Sequence, residues 1–303
     1  MSEHATAQSE RSLIHVLRDL WLLMKPELTL LSVFTALASA FLAIQYPDGS
    51  QLIIFPLLAI GTLCVGGGAG ALNQYMERRE DGIMKRTQNR PLPDERITPM
   101  VAAAFGAGLI LAGILILSMV NFLTAVLACS TAVTYLFLYT PLKKITIIST
   151  IIGAIPGALP VLIGWAAIQN MLSINSVTLF AILYYWQLPH FYSIGWIYRT
   201  DYSAAGYRML PSIDETGRKV SRYIILNQVF LMVAGMSPAL TGLVSIEYVP
   251  ISIITGLAFL FFGRQFQHSL GTNSSALAAR RLFFASLLYI PVIFSAMIIF
   301  KVS

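Results

Sequence analysis

The chain has 303 residues, of which 56% are hydrophobic and only 11% charged, against roughly 25% charged in an ordinary soluble domain. Water is therefore excluded as its main solvent, and at about 20 apolar residues per crossing some nine helical spans use nearly the whole length. The net charge of +6 does not point to nucleic acid, because the basic residues lie between apolar stretches rather than on one face.

In chain order, residues 1–26 read as a polar segment on the cytoplasmic side. Glu3, Glu10, Arg11, Arg18, Asp19 and Lys25 interrupt it; it has neither the apolar core of a signal peptide nor the acid-poor composition of a mitochondrial presequence. Residues 27–303 read as a single all-α transmembrane domain. Apolar windows fall at about 27–46, 53–76, 98–119, 120–139, 148–168, 173–198, 224–243, 248–267 and 281–301. Only Ser118 to Asn121 separates the third window from the fourth, but their combined length exceeds any single crossing, so two spans joined by a tight turn are expected. Lysine and arginine test the count independently, since they favour the cytoplasmic side. With the N-terminus inside and the C-terminus outside, every basic residue except Lys301 falls in an inner segment, and the connections near Asp48, Asn121, Asn170 and Glu247 carry none. Cys64 and Cys129 lie inside apolar stretches with no ligand spacing, against a disulfide or thiolate metal site.

The second window ends in Asn73, Glu77 and Asp81, followed by Arg86, Arg90 and Pro91. Spacing of four drifts only about 80° over the three positions, so they form one oxygen-bearing stripe. Hard Mg²⁺ binds through one or two carboxylates plus substrate phosphates, and guanidinium groups fork onto phosphate oxygens. Asn73 follows the run Gly66–Gly67–Gly68–Ala69–Gly70 and should lie inside the bundle, where an unused polar group is costly. The sixth window holds Trp186, Pro189 and His190, and Arg199, Asp201 and Arg208 follow it; Asp201 opens its loop as Asp81 opens the other, and both loops contain Leu-Pro, a hint of duplicated halves. Tyr139–Thr–Pro–Leu–Lys143–Lys144 precedes a Gly/Pro run at 153–160, expected to make an irregular helix from which Lys143 reaches an anion. A metal-diphosphate site opening into an apolar bundle suits an anionic head on a lipid tail, as in isoprenyl diphosphates, whose allylic cation would be sheltered from water.

The motifs NxxxExxxDxxMxRTxxRP, YTPLK, GAIPGALPxLIGW, WQxPHF and DYxxAGxxMLP, in that order over about residues 25–295, resemble the protohaem IX farnesyltransferases of the UbiA-type intramembrane prenyltransferase family. The resemblance implies a UbiA-like bundle that moves the farnesyl group of farnesyl diphosphate to a vinyl group of haem b, with water addition, giving haem O. It implies Mg²⁺ on Asn73, Glu77, Asp81 and Asp201, diphosphate on Arg86, Arg90, Lys143 and Arg199, and haem at His190. It further implies a lipid bilayer, bacterial inner membrane, as the setting, with a haem A synthase or terminal oxidase assembly downstream. Two departures stand out: Glu77 replaces the family's usual Asp and is one methylene longer, and Tyr202 follows Asp201 where a second acid would complete the second motif. The first motif alone also permits an aromatic acceptor such as 4-hydroxybenzoate. A transporter would place charges at bundle edges too, but needs no acidic ladder facing arginines, and a CDP-alcohol phosphotransferase lacks its DGxxAR-type run here.

Overall fold

The computed structural model describes residues 13–45 and 49–302. Glu3, Glu10, Arg11 and the connection at Asp48 lie outside the described residues. A short amphipathic helix α1 (Leu13–Leu23) precedes α2 (Pro26–Ala43) and α3 (Ile54–Met76), which is continued by the six-residue α4 (Arg78–Ile83). There follow α5 (Pro99–Ser118), α6 (Phe122–Val133) extended by a π-helical stretch Thr134–Tyr139 and the single turn α7 (Thr140–Leu142), α8 (Ser149–Gln169), α9 (Ile174–Ile197), the short α10 (Arg199–Ala204) and α11 (Leu210–Ile213), then α12 (Arg218–Leu240), α13 (Tyr248–Ser269) and α14 (Ser275–Ile299).

Eight of the described helices are long and apolar enough to cross a membrane. The expected sixth span, α9, has 24 residues but is not among the eight; its sequence carries Asn175, Gln187 and His190 with several Tyr and Trp, which dilute its apolar character. The described chain is thus an all-α, multi-pass membrane protein. Large apolar side chains such as Leu111, Phe261, Phe284 and Leu288 face outward, an arrangement suited to hydrocarbon, where backbone groups must be satisfied within the helices.

The two adjacent windows part where expected. Asn121 takes an extended conformation, caps α6 by accepting from the Thr124 backbone N–H at 2.8 Å, and donates to the Ala166 carbonyl of α8 at 2.8 Å. The Gly/Pro run behaves otherwise than expected: α8 continues unbroken through Pro156 and Pro160. Irregularity sits instead in the preceding helix, at the π stretch, whose Tyr139 ring lies where a side chain at Gly153 would be. Prolines are tolerated inside membrane helices because their surroundings re-satisfy the freed backbone groups, and α8 is packed among α2, α6 and α9.

α2, α8 and α9 form the middle of the bundle; α3, α5 and α6 pack on one side, α12, α13 and α14 on the other, and α14 returns to touch α2. The hint of duplication has a structural counterpart. α3 breaks at Glu77 (φ −98°, ψ 11°) and resumes as the six-residue α4; α9 breaks at Tyr198 (φ −109°, ψ 25°) and resumes as the six-residue α10. Both loops lie at one end of the bundle, joined by an apolar clip of Met84 with Tyr202, Ala205, Tyr207 and Met209. The opposite end is closed by Gln169 donating to the Ala43 carbonyl at 2.6 Å and by Lys301 donating to the carbonyls of Phe41 and Ile44.

Small residues set the close crossing between α3 and α5. A Cβ on Gly68 would sit 2.5 Å from the Gly106 carbonyl oxygen, and one on Gly113 2.7 Å from that of Gly61, backbone that cannot move aside. Gly113→Val should therefore lower the apparent unfolding temperature in detergent by several degrees, corresponding to about 1–3 kcal/mol of overpacking, whereas Gly108→Val, which meets open space, should leave it unchanged in the same scan.

Candidate functional site

The polar cluster forms where α3 ends. Although the helix breaks at Glu77, the i to i−4 pattern survives: the Glu77 N–H donates to the Asn73 carbonyl at 2.9 Å and the Asp81 N–H to the Glu77 carbonyl at 2.8 Å. Asn73, Glu77 and Asp81 consequently remain on one inward line, 0%, 5% and 1% exposed. Each meets its own cation. Lys25 donates to Asn73 Oδ1 and Lys143 pairs with Glu77 Oε1. Arg90 Nη1 sits 2.9 Å from both oxygens of Asp81. Asn73 Nδ2 donates to Thr140 Oγ1 at 2.9 Å, and Thr140 in turn to the Tyr135 carbonyl at 2.9 Å.

Local structure explains the aim of these groups. Lys25 takes a left-handed conformation (φ 49°, ψ 63°) immediately before Pro26, a backbone state uncommon for a residue with a side chain. It caps α2 where no side-chain cap exists and turns its ammonium towards α3. The π stretch delivers Thr140 and Lys143 from the third side, with the Lys143 ammonium 4.9 Å from the Tyr139 ring centroid and 5.4 Å from that of Tyr207. The Lys143 carbonyl accepts from the Arg208 backbone N–H at 2.8 Å, tying this turn to the second loop.

Charge balance is local. Burial opposes ionisation of Glu77, but the ammonium groups of Lys143 and Lys25 outweigh it and hold its carboxyl below the usual carboxylate range. Burial also works against the charge of Lys143, yet Glu77 and the tyrosine ring of hydroxyls around it raise the ammonium well above its ordinary value. For Lys25, burial reinforced by the Arg90 guanidinium dominates and lowers the ammonium to about 7. Burial pushes the Tyr207 phenol up, keeping it neutral.

Asp201 belongs to the neighbouring loop and is partly exposed. Its Oδ2 accepts from the Arg86 backbone N–H at 3.3 Å, while the Arg86 guanidinium lies over the rings of Tyr198 (5.2 Å) and Tyr202 (5.9 Å). Arg86 and Asp201 thus bridge the two loops rather than entering the buried line. Arg199 stacks over Trp196 at 4.1 Å and donates to its carbonyl, apart from the cluster. His190 lies in α9 against α14, 5% exposed, its Nδ1 2.7 Å from Ser286 Oγ and its ring packed by Trp186 and Phe283 at 5.1 and 5.0 Å. A cavity of about 480 Å³ between α13 and α14, walled by Phe259, Phe262, Phe284 and Leu288, touches none of the predicted site residues.

The acidic line, Arg90 and Lys143 are legible in the sequence; Lys25, Thr140 and Tyr207 are not. Lys25 read as a topology signal, although its place one residue before the first span puts it level with the end of the second.

The donors fit a hard cation. An amide and two carboxylates line one helix end, chemistry suited to Mg²⁺ shared with phosphate. No group of three or more His, Cys, Asp or Glu is close enough to share an ion among the described residues; any metal here would complete its shell from outside the protein.

The chain is similar to known proteins over most of its length. Residues 32–288 match the model of the UbiA prenyltransferase family. The chain is 39% identical over 279 residues to a protohaem IX farnesyltransferase of Opitutus terrae, covering 91% of this chain and 92% of that one. It is 36% identical over 298 residues to the mitochondrial protohaem IX farnesyltransferase of Arabidopsis thaliana, covering 95% of this chain and 66% of that protein. Among solved structures it superposes on a digeranylgeranylglyceryl phosphate synthase with a TM-score of 0.74 at 15% identity, covering 93% and 97% of the two chains. A UbiA homologue from Archaeoglobus fulgidus bound to GPP and Mg²⁺ gives 0.67 at 13% identity, covering 92% and 99%. With a family match over most of its length and relatives well above 30% identity, the chain belongs to the UbiA prenyltransferase family.

Proposed function

We propose that this protein transfers the farnesyl group of farnesyl diphosphate to a vinyl group of haem b, yielding haem O. The observation that carries the transferase half is the buried line Asn73–Glu77–Asp81 faced by Lys25, Lys143 and Arg90. The acceptor follows from the relatives named protohaem IX farnesyltransferase together with a buried histidine, His190, set among aromatic rings.

In this reading Asn73, Glu77 and Asp81, with Asp201 from the second loop, would hold Mg²⁺, which when bound would neutralise diphosphate charge. Lys143, Arg90 and Arg86 supply fixed positive charge where the leaving diphosphate gains negative charge as the allylic C–O bond breaks, the kind of preorganised stabilisation that dominates many enzymes. Arg199, stacked on Trp196, adds to the positive field of the same face. Tyr139 and Tyr207 screen Lys143 from water, and the apolar bundle interior keeps the allylic cation from premature hydrolysis. His190 orients the porphyrin. The domain spans residues 27–303 with N-in, C-out topology, and the basic loop end faces the cytoplasm of a bacterial inner membrane, in line with the charge bias; the haem O released there would feed a haem-modifying or oxidase-assembly step.

Purified protein incubated with haem b, farnesyl diphosphate and Mg²⁺ should give a porphyrin heavier by one farnesyl unit plus water, detected by mass spectrometry and lost on chelation of Mg²⁺. Farnesylation of an added 4-hydroxybenzoate with no porphyrin product would replace the acceptor and keep the metal site. Asp81→Ala should lower turnover by about 100-fold or more while the protein remains in the membrane fraction; a variant turning over at the normal rate would remove the metal assignment. Lys143→Ala leaves Glu77 buried without its partner, so it should lose both activity and some thermal stability, and Arg86→Ala, exposed in its loop, should chiefly raise KM for farnesyl diphosphate in steady-state assays.

A further inference from the structure

The histidine at the α9–α14 interface carries information about its own protonation. Ser286 Oγ lies 2.5 Å from the Phe283 carbonyl, to which it donates, the usual back-bond of a helical serine. A serine hydroxyl has one proton. With that proton spent on Phe283, Ser286 Oγ meets His190 Nδ1 at 2.7 Å as an acceptor, so Nδ1 carries the hydrogen. In a neutral imidazole Nε2 is then a bare lone pair.

Three further facts support this arrangement. The Trp186 indole N–H donates to the Ser286 backbone carbonyl at 2.7 Å, holding this turn of α14 against α9. Trp186 and Phe283 pack on the imidazole and restrict its rotation. Among the described residues no hydrogen-bond partner faces Nε2.

We infer that Ser286 is a positioning residue: through Nδ1 it holds His190 in the tautomer whose Nε2 lone pair is free to ligate the iron of a porphyrin substrate. This rests on the haem-acceptor reading above. A metal-ligating histidine ordinarily gives its other N–H to an oxygen acceptor, and removing that acceptor typically weakens metal affinity 10- to 100-fold.

The test titrates detergent-purified wild type, Ser286→Ala, Ser286→Thr and His190→Ala with ferric haem b in the absence of farnesyl diphosphate, and reads absorption and electron paramagnetic resonance spectra. Wild type should show an axial-nitrogen signature that His190→Ala abolishes. Ser286→Ala should weaken haem binding by about tenfold or more and alter the spectrum, and Ser286→Thr, which keeps the hydroxyl, should restore both. Should the alanine variant not be recovered folded, Ser286→Cys, close in size but a weak acceptor, makes the same comparison. Ser286→Ala or Ser286→Cys indistinguishable from wild type, with His190→Ala altered, would overturn the positioning role and leave the haem site standing. An unchanged His190→Ala spectrum would instead overturn His190 as the iron ligand.

Discussion

An ionised carboxylate at the end of a membrane helix persists only where positive charge faces it, because neither lipid nor a buried cavity supplies the solvation that water gives. Glu77 and Asp81 meet this condition through Lys143 and Arg90, and much of the surrounding architecture exists to bring those cations into place. Lys143 arrives from the end of a helix whose last turns are π-wound, Arg90 from the loop immediately downstream, Lys25 from the left-handed residue that starts α2. A bundle of three independent helix ends is thereby fastened at one point. The same balance suits an anionic ligand, since cations already held against carboxylates can be shared with phosphate without building new charge into the membrane.

The two loops contribute unequally. Their backbones break alike, at Glu77 and at Tyr198, but Asp81 lies four residues beyond its break and is buried, whereas Asp201 lies three beyond and remains partly exposed, accepting from the Arg86 N–H. The apolar clip of Met84, Tyr207 and Met209 holds the loops together, which gives physical content to the methionine of each motif.

Much of this was legible in the sequence because membrane helices are written in long apolar windows and the carboxylates follow a period that a helix preserves. The break at Asn121 and the line from Asn73 to Asp81 required no tertiary knowledge. Lys25 and Thr140 did: they meet Asn73 across 48 and 67 residues of chain, and a lysine before a span reads first as a topology signal. The prolines of α8 misled for a related reason. A proline removes one backbone donor, but whether the helix breaks depends on the packing around it, and α2, which packs along α8, is remote in the chain. The stacked position of Arg199 was likewise beyond reach, since nothing local distinguishes an arginine lying on Trp196 from one facing a ligand.

The π stretch at Thr134–Tyr139 has a geometrical meaning of its own. Each residue of an α-helix turns the chain by about 100°, and a π-bulge accommodates an additional residue within otherwise α-helical winding. Everything after it is rephased relative to the lipid-facing pattern laid down by α6. Thr140 and Lys143 point inward by virtue of that phase, so the helix carries two registers: one that suits the membrane up to Val133, and another that suits the polar end of the bundle. Removing the accommodated residue would keep the apolar composition of the span intact and let it wind as one uninterrupted α-helix, merging the two registers into one.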